Sequence, residues 1–415
     1  MGIWTSGTAA EAEVSLRELA ALAETAGSAV LDGVLQRRDK PDNATYLGSG
    51  KAREVADLVA ETGADTIIVD TELSPNQRRN LEDVAKVKVI DRTTLILDIF
   101  AQHAKSREGK ARVELAQLEY LLPRLRGWGE SMSRQAGGRV GAGDGIGSRG
   151  PGETQIELDR RRIRQRMAKL KKDIANMEPA RRTQRSNRRR NHLPSVVVVG
   201  YTNAGKSSLM NRLTDAGVLV ENALFATLDP TVRRSETTDG RAYTISDTVG
   251  FVRSLPTQLV EAFRSTLEEV AEGDLMLHVV DSSHPNPVGQ VEAVHAVLRD
   301  VEGAEDVPEV IVLSKADLAD PVDLAALRSR FPGSVVVSAK TGEGIEQLEE
   351  LIAQRLPRPA VSVDVVVPFD RGDLISRVHT EGEILSERYS ENGTVLNALV
   401  DEDLASELLE CSVGH

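Results

Sequence analysis

Apolar and polar positions in the first hundred residues change repeatedly between two spacings. Apolar residues recur every three or four positions in some segments, which predicts helices at 15–26, 51–62 and 74–85. Ser74 followed by Pro75 is typical of a helix start. Short apolar runs predict strands at 28–35, 65–70 and 87–91. Strands that alternate with helices predict an α/β domain with a parallel sheet.

The next ninety residues show a different pattern. Two helical segments follow residue 92, and residues 137–152 then contain eight glycines, too many for side-chain packing to hold. Apolar residues return at helical spacing as Ile156, Ile163, Met167, Leu170, Ile174 and Met177. This seam predicts a second long helix that forms a hairpin with the helix before the glycine-rich loop, and we expect it to end at Pro179.

Strand–helix alternation resumes at residue 195 and continues to about 356. The last segment predicts a small βαββα unit with Asn392-Gly393 as its hairpin turn. The predicted fold class is α/β with three domains, the first of which carries a helical-hairpin subdomain. The predicted boundaries are 1–104 for the N-terminal α/β domain, 105–192 for the basic hairpin with its glycine-rich loop and linker, 193–357 for a P-loop domain and 358–415 for the C-terminal α+β domain.

A phosphate-binding motif follows the β-branched run 196–199. Gly200, Gly205, Lys206 and Ser207 fit G-x-x-x-x-G-K-[ST] between a strand and a helix. Glycines let backbone N–H groups surround phosphates, the lysine neutralises β- and γ-phosphate charge, and the serine hydroxyl suits Mg²⁺. By itself this motif leaves ATPase, GTPase and kinase open.

Three further motifs follow in order, each after a predicted strand. Asp247 and Gly250 belong to DTVG, in which the carboxylate can hold Mg²⁺ through water and the glycine N–H can sense the γ-phosphate. Asp317, in SKAD, can accept both the ring N–H and the amino group of guanine, which favours GTP over ATP. The backbone of Ser338-Ala339-Lys340 could meet guanine O6. Thr227, in FATLDPT, is a candidate γ-phosphate and Mg²⁺ ligand. Together the motifs predict a GTPase.

Charge is unevenly distributed along the chain of 415 residues. The net charge of −13 consists of +13 over residues 101–190 and −26 elsewhere. A local basic segment in an acidic protein suggests a polyanion contact, although a solvated helix face is an alternative. The single cysteine, Cys411, excludes a disulfide framework and is compatible with a reducing cytoplasm. We find no signal peptide or membrane span, and the seven histidines show no metal-ligand spacing.

The chain resembles the HflX family of ribosome-associated GTPases over nearly its whole length. The resemblance lies in stretches such as YLGSGKA, VIDRTTLILDIFAQHA, GKARVELAQLEYLLPRL, GIGSRGPGETQIELDRR, GYTNAGKS, LFATLDPT and DTVGF. It implies a cytoplasmic GTPase that binds the large ribosomal subunit and splits or rescues stalled or idle ribosomes. It also implies that the glycine-rich loop and basic hairpin face rRNA, and that the free protein is monomeric.

The resemblance also implies a set of site residues. Lys206, Thr227 and Gly250 would be catalytic, and Ser207 and Thr227 would bind Mg²⁺. GTP or GDP would contact Gly200, Tyr201, Thr202, Asn203, Ala204, Gly205, Lys206, Ser207, Phe225, Ala226, Thr227, Leu228, Asp229, Asp247, Thr248, Val249, Gly250, Ser314, Lys315, Ala316, Asp317, Ser338, Ala339 and Lys340.

The chain departs from the family pattern in three ways. Ser314 replaces the usual Asn that tethers the P-loop to the base loop, so guanine affinity is expected to be weaker. The chain begins almost at its first predicted helix, which suggests a truncated start or a lost edge strand. Ser208 replaces the commoner Thr. In addition, Phe251 stands where Ras-like enzymes place the glutamine that orients water, which predicts slow intrinsic hydrolysis.

Several alternatives remain at this stage. Asn203 could hold a K⁺ ion or only stabilise the turn. Residues 101–190 could form a dimerising coiled coil in a GTPase switch for a protein or small-RNA partner, and a ribosome-assembly role is another option. Gly48-Ser49-Gly50-Lys51 resembles half a P-loop and raises ATP-driven RNA remodelling by the N-terminal domain. The G-x-G-x-x-G match at 145–150 lacks a preceding strand and does not predict a dinucleotide site.

Overall fold

The computed structural model describes most of the chain. It covers residues 1–5, 7–125, 151–190, 193–214, 224–225, 231–253, 267, 269–357, 361–400 and 402–411, with backbone alone at 151–156, 178, 180–190 and 402–403. The described chain divides into two compact units. The first comprises Met1–Met177, Asn222–Asp229 and Ser254–Phe263, and the second comprises Glu178–Glu221, Pro230–Arg253 and Arg264–His415.

The first unit contains two short parallel ladders and the helices that cover them. Its strands are β1 (Gly2–Trp4), β2 (Leu35–Arg37), β3 (Thr66–Val69) and β4 (Lys88–Asp91), and β1 pairs with β2 while β3 pairs with β4. Its helices are α1 (Ala9–Thr25), α2 (Ser49–Thr62), α3 (Pro75–Ala85), α4 (Arg92–His103) and α5 (Arg107–Arg124). Ser74 caps α3 as predicted, because its side chain accepts a hydrogen bond from the Gln77 N–H.

Two expectations for this unit were wrong. A strand does open the chain, since Gly2–Trp4 pairs in parallel with Leu35–Arg37. The observed strand is Leu35–Arg37, which shares only residue 35 with the strand predicted at 28–35. Val30 and Leu31 are exposed. The apolar residues that predicted the strand lie in a loop and do not pair with another strand, which explains the error.

Helix α6 (Pro151–Arg190) begins in the first unit and does not end at Pro179 as predicted. A proline removes one helical hydrogen bond, but good helix formers flank it, with lysine, alanine, methionine and glutamate before it and arginine after it. The predicted seam is confirmed over the described side chains: Leu170 is buried, and Ile163, Met167, Ile174 and Met177 are half-buried. Ion pairs join Arg166 to Glu114 and Lys171 to Glu119 of α5.

The second unit is built on a six-stranded sheet of order β10-β9-β8-β5-β7-β6. The strands are β5 (Ser195–Gly200), β6 (Val232–Glu236), β7 (Ala242–Asp247), β8 (Leu275–Asp281), β9 (Glu309–Ser314) and β10 (Val335–Val336). All neighbours are parallel except β6, which pairs antiparallel with β7. The helices are α7 (Lys206–Thr214), α8 (Pro287–Leu298), α9 (Pro321–Arg330) and α10 (Ile345–Arg355). Parallel strands place the ends of β5, β7, β9 and β10 at one edge, where ligands bind in such sheets.

The C-terminal segment forms the predicted βαββα arrangement within this unit. It consists of β11 (Val361–Val367), α11 (Gly372–Glu381), β12 (Glu383–Ser390), β13 (Gly393–Val400) and α12 (Glu402–Cys411). The antiparallel sheet has the order β11-β13-β12, and Ser390 pairs with Gly393 across the predicted turn. No helix in the described parts of the chain is both long enough and apolar enough to cross a membrane.

Candidate nucleotide site

The loop between β5 and α7 has a backbone that only certain residues can adopt. Gly200 has φ 148°, and a Cβ there would lie 2.2 Å from the carbonyl oxygen of Val279 on the neighbouring strand. Gly205 has φ 96° and Asn203 has φ 58°. Glycine and asparagine tolerate positive φ best, so the sequence permits the tight turn that a phosphate-binding loop requires. Val196–Val199 are fully buried and hold this loop on the sheet.

Lys206 begins α7 and is buried beneath that loop. Its Nζ donates hydrogen bonds to the carbonyl oxygens of Gly200, at 3.1 Å, and Tyr201, at 2.9 Å. Burial lowers the pKa of Lys206 to about 8, and the nearby Asp247 carboxylate offsets only part of this shift. A phosphate close to the ammonium would restore the charge that burial disfavours. The side chain is therefore placed and tuned for an anion.

Ser207 and Asp247 lie side by side next to this lysine. The Ser207 hydroxyl donates a 2.8 Å hydrogen bond to Oδ2 of Asp247, which ends β7 and is buried. A hydroxyl and a carboxylate form an oxygen donor pair, the kind of set that Mg²⁺ prefers. These two residues therefore fit the metal that the motifs imply. Thr227, the other predicted ligand, lies outside the described residues.

The DTVG segment is fastened to the P-loop through its backbone. The Thr202 N–H donates to the carbonyl oxygen of Phe251 at 2.7 Å, and the Phe251 N–H donates to that of Gly200 at 3.1 Å. A Cβ at Gly250 would lie 2.7 Å from Cγ2 of Thr202 and 3.1 Å from Nζ of Lys206. A side chain at position 250 would thus clash with Thr202 and crowd the lysine. The Phe251 side chain is buried, so it packs and does not orient water.

Ser314 links the P-loop to the base loop, the role expected of the asparagine that it replaces. Its Oγ lies 2.5 Å from the carbonyl oxygen of Ala204 in the P-loop and 3.0 Å from that of Val280. The hydroxyl has one proton, so it donates to one of these oxygens at a time. The expectation that Ser314 weakens guanine binding remains untested, but the P-loop and base loop are linked directly through this side chain.

The remaining base-loop residues are also brought together. Oδ1 of Asp317 accepts a 2.8 Å hydrogen bond from the Ser338 hydroxyl, and Lys340 Nζ lies 3.9 Å from Oδ2. Lys315 has φ 56° and pairs with Asp281 at 2.7 Å. Sequence reasoning missed Asp281, although its position at the end of a buried strand was a usable signal. This carboxylate fixes the lysine within the SKAD motif.

The structure thus gathers most of the predicted nucleotide residues at one sheet edge. Residues 200–207, 247–250, 314–317 and 338–340 all lie there within the second unit. Phe225 belongs to the first unit, where its buried ring meets Phe100 edge-on with centroids 4.5 Å apart. Ala226 to Asp229 lie outside the described residues, as does the glycine-rich loop up to residue 150. Their contacts with nucleotide or rRNA remain predictions.

Comparisons with known proteins point to one family. Family models described as "GTP-binding GTPase N-terminal" and "GTP-binding GTPase Middle Region" match residues 13–101 and 103–188. Models described as "50S ribosome-binding GTPase" and "HflX C-terminal domain" match residues 195–315 and 325–415. These matches follow the chain from end to end in order.

Individual relatives agree with the family models. The GTPase HflX of Lacrimispora saccharolytica is 44% identical over 407 residues, which cover 98% of this chain and 94% of that protein. The GTPase HflX of Escherichia coli K12 is 42% identical over 383 residues, 92% of this chain and 88% of that one. A solved structure described as a complex of SsGBP and GDP is 25% identical with a TM-score of 0.46, and the match covers 85% of this chain and 97% of that chain. By its sequence relatives and its nucleotide-site geometry, the chain belongs to the HflX family of GTPases.

Proposed function

We propose that this GTPase hydrolyses GTP with Mg²⁺ at the site described above. Lys206 would neutralise charge on the β- and γ-phosphates, while Ser207 and Asp247 would hold the metal directly and through water. Bound Mg²⁺ would supply further charge neutralisation between the phosphates. The N–H of Gly250 would meet the γ-phosphate, because this glycine lies against both the P-loop and the lysine. With Phe251 buried, the chain brings no water-orienting side chain at that position, so intrinsic turnover should be slow.

We further propose that the partner is the large ribosomal subunit and that GTP-dependent binding splits or rescues stalled or idle ribosomes. The observation that carries this proposal is the charged surface of α6. Arg161, Arg162 and Arg164 are exposed, while the apolar seam on the same helix is partly or fully buried. Exposed arginines on a helix fastened by its other side suit a phosphate backbone. The family description "50S ribosome-binding GTPase" for residues 195–315 agrees with this partner.

The deciding experiment compares GTP turnover with and without purified large subunits at fixed Mg²⁺. We expect clear stimulation, because slow intrinsic hydrolysis leaves room for a partner to order the site. Sucrose-gradient sedimentation of 70S ribosomes with GTP, GDP and a non-hydrolysable analogue then tests splitting. Stimulation without splitting would favour a ribosome-assembly role. An absence of stimulation would reject the ribosomal partner.

Salt dependence tests the proposed contact surface. Replacing Arg161, Arg162 and Arg164 together with Gln should weaken binding to large subunits and make affinity less dependent on salt concentration. Each lost phosphate contact lowers the slope of log K against log salt by roughly 0.9 for duplex nucleic acid. Arg328→Gln/Arg330→Gln on α9 is the matched control, because those arginines are also exposed on a helix. Equal effects from both variants would mean that binding reflects general charge.

The coiled-coil alternative is less well supported. In that alternative the apolar seam of α6 would be open to a second chain, but Leu170 is buried within one chain and ion pairs join α6 to α5.

K⁺ dependence is a separate proposal. Asn203 is exposed at the tip of the P-loop, where an amide oxygen could reach a monovalent cation. Equal GTP turnover in K⁺ and Na⁺ buffers would reject it.

A further inference from the structure

Two histidines and a glutamate meet on the second unit's sheet, away from the strand ends that bind nucleotide. His278 lies in the middle of β8, Glu309 begins β9, and His295 lies on α8. Among the residues that the structure describes, this is the group of His, Cys, Asp and Glu side chains whose potential ligand atoms all lie within 4.8 Å of one another. No sequence motif marked it, because the three residues are separated by a helix and a loop and share no short spacing.

The sheet register explains why these side chains converge. In the β8–β9 ladder, Met276 pairs with Glu309 and His278 pairs with Ile311. Alternate residues of a strand share a face, so His278 and Glu309 point to the same side of the sheet. Helix α8 packs against β8, and His295 of that helix reaches the same point. The two imidazole rings stand edge to face with centroids 5.3 Å apart.

One carboxylate oxygen joins the two rings. Oε1 of Glu309 lies 2.6 Å from Nδ1 of His278 and 2.8 Å from Nε2 of His295. Burial alone would raise the pKa of Glu309, but the hydrogen bonds from both histidines outweigh it and hold that pKa at about 2. Burial lowers the pKa of His278, so this imidazole is neutral near pH 7. The cluster therefore offers an anionic oxygen and a neutral ring nitrogen.

Its environment also gives access from solvent. His278 is almost completely buried, whereas the side chains of His295 and Glu309 are 39% and 27% exposed. Two imidazoles and one carboxylate form a ligand set typical of Zn²⁺, with a fourth position left for water. Zinc bonds of about 2.0–2.1 Å in a tetrahedron place ligand atoms roughly 3.3 Å apart. The present separations of 2.6 Å and 2.8 Å would have to open by about 0.5–0.7 Å, which the exposed Glu309 and His295 side chains can provide.

We propose that His278, His295 and Glu309 form a binding site for a divalent transition metal of the Zn²⁺ type. The ion takes the position of the two bridging protons and ties α8 to the adjacent strands. Each neutral ring then carries its single proton on its other nitrogen, and any extra proton on His295 is released to water. Protonation of His295 competes with metal binding, because the Glu309 hydrogen bond and charge raise the pKa of that histidine by more than burial and Arg299 lower it. Affinity should therefore fall as pH decreases. The site is independent of the ribosomal proposal.

The test uses the full chain without a histidine tag, stripped with chelator and then supplied with Mg²⁺ and one equivalent of GDP. The Mg²⁺ and GDP occupy the oxygen ligands of the nucleotide site, so that Zn²⁺ does not bind there. Zn²⁺ titration by calorimetry, with a competing chelator, should show one saturable site per chain. His295→Ala and Glu309→Gln should each weaken it at least tenfold, since even the loss of groups that only orient ligands costs about 10–100-fold. Zn²⁺ should raise the Tm of the wild type and not that of the variants.

The matched control is His379→Ala. His379 pairs with one carboxylate, Glu387, at 3.2 Å and has no second histidine in contact among the described residues. It should leave Zn²⁺ affinity unchanged. Co²⁺ should give a d–d absorption band without thiolate charge transfer, because Cys411 is not a ligand. Failure of the wild type to bind Zn²⁺, or equal affinity in the wild type and both site variants, would overturn the proposal.

A second measurement covers the case in which a variant does not fold. Ring-proton NMR spectra of the wild type should show shifts for two of the seven histidines at one equivalent of Zn²⁺. Shifts confined to other histidines would place the metal elsewhere. Neither readout depends on GTP turnover, so a failed ribosomal experiment leaves this result interpretable.

Discussion

The two units each carry acidic residues where parallel strands end, and they use them in opposite ways. In the first unit, Asp91 ends β4 and accepts hydrogen bonds from the backbone N–H of Thr94 at 2.9 Å, the Thr94 hydroxyl at 2.7 Å and the Tyr120 hydroxyl. Arg92 bridges Asp70 and Glu18. These partners all come from the same unit. The carboxylates are used internally, and this sheet edge is closed.

At the second unit's edge Lys206 is held by uncharged groups, although two ion pairs lie at the same edge, Lys315 with Asp281 and Lys340 with Asp317. The partners of Lys206 are backbone carbonyl oxygens, and Asp247 and Asp317 accept from serine hydroxyls. Hydroxyls and carbonyls are displaced by a ligand at lower cost than an ion pair, because no buried charge is left uncompensated. The difference between the two edges therefore lies in the buried cation, because Arg92 is engaged by two carboxylates whereas Lys206 is held by backbone oxygens.

The half P-loop at residues 48–51 illustrates the same difference. No strand leads into Gly48 in the described structure, and a Cβ at that residue would lie 2.4 Å from the Arg38 guanidinium. Lys51 is paired with Glu54 at 2.7 Å, one turn along the same helix. This segment lacks the loop and the available cation that define the second unit's site, which weakens the ATP-binding alternative.

The largest expected effect is a loss of stability when the Arg92 ion pairs at the first unit's sheet edge are removed. Arg92→Met leaves the carboxylates of Glu18 and Asp70 without their shared cation, and both are largely buried. Loss of one partner of a buried ion pair costs about 3–5 kcal/mol. Urea unfolding should show that loss. Arg17→Met is the control, because its pair with Glu13 is 3.9 Å long and exposed and should change stability by less than about 0.5 kcal/mol. Similar values for both variants would contradict the closed-edge interpretation.

A substitution at the second unit's sheet edge should lower activity and leave stability unchanged. Lys206→Ala should reduce single-turnover GTP hydrolysis by about 10²–10³-fold, as does loss of one pre-arranged group that stabilises transition-state charge. Thermal stability should not fall, because the substitution removes a desolvated ammonium. Lys51→Ala should leave hydrolysis unchanged. Reduced hydrolysis in that control would mean that the first unit's lysine also serves the reaction.

The pH dependence of nucleotide affinity should report the same lysine. Burial holds the pKa of Lys206 at about 8, and bound phosphate would raise it, so binding above pH 8 requires proton uptake. GDP affinity should fall by about tenfold per pH unit there, since one pKa unit corresponds to about 1.4 kcal/mol. Calorimetry in buffers of different ionisation enthalpy measures the uptake.

Deprotonation of guanine also weakens binding at high pH, and a variant separates the two effects. Lys206→Arg keeps its charge at every accessible pH, so only the guanine contribution should remain. Identical pH profiles for wild type and Lys206→Arg would show that Lys206 stays charged in the free protein.

The smallest effect concerns the tether between P-loop and base loop. Ser314→Ala removes the hydroxyl that bonds to the Ala204 carbonyl and should cost about 1 kcal/mol, or roughly fivefold in GDP affinity. Ser314→Asn restores a donor and should keep wild-type affinity or exceed it. Competition with a fluorescent GDP analogue measures both. Wild-type affinity in Ser314→Ala would show that this hydrogen bond does not support base binding.

Local chemistry explains which elements could be predicted. Ser74 and Pro75 predicted the start of α3, and the four motifs predicted the P-loop edge, because caps and glycine turns act through neighbouring residues. The strand at 28–35 was wrong, and Pro179 did not end α6. At 28–35, pairing with Gly2–Trp4 selected which residues form the strand. At Pro179, good helix formers on either side outweighed the loss of one helical hydrogen bond.

The sequence by itself determined the α/β class, the family resemblance and the order of the candidate nucleotide motifs, because these depend on short motifs and periodic burial. Only the tertiary structure decided how the charges are used. It paired Arg92 with two carboxylates and placed Lys206 against backbone oxygens. It also linked the P-loop to the base loop through Ser314 and brought His278, His295 and Glu309 together. These outcomes depend on contacts between residues far apart in the chain, which no local pattern encodes.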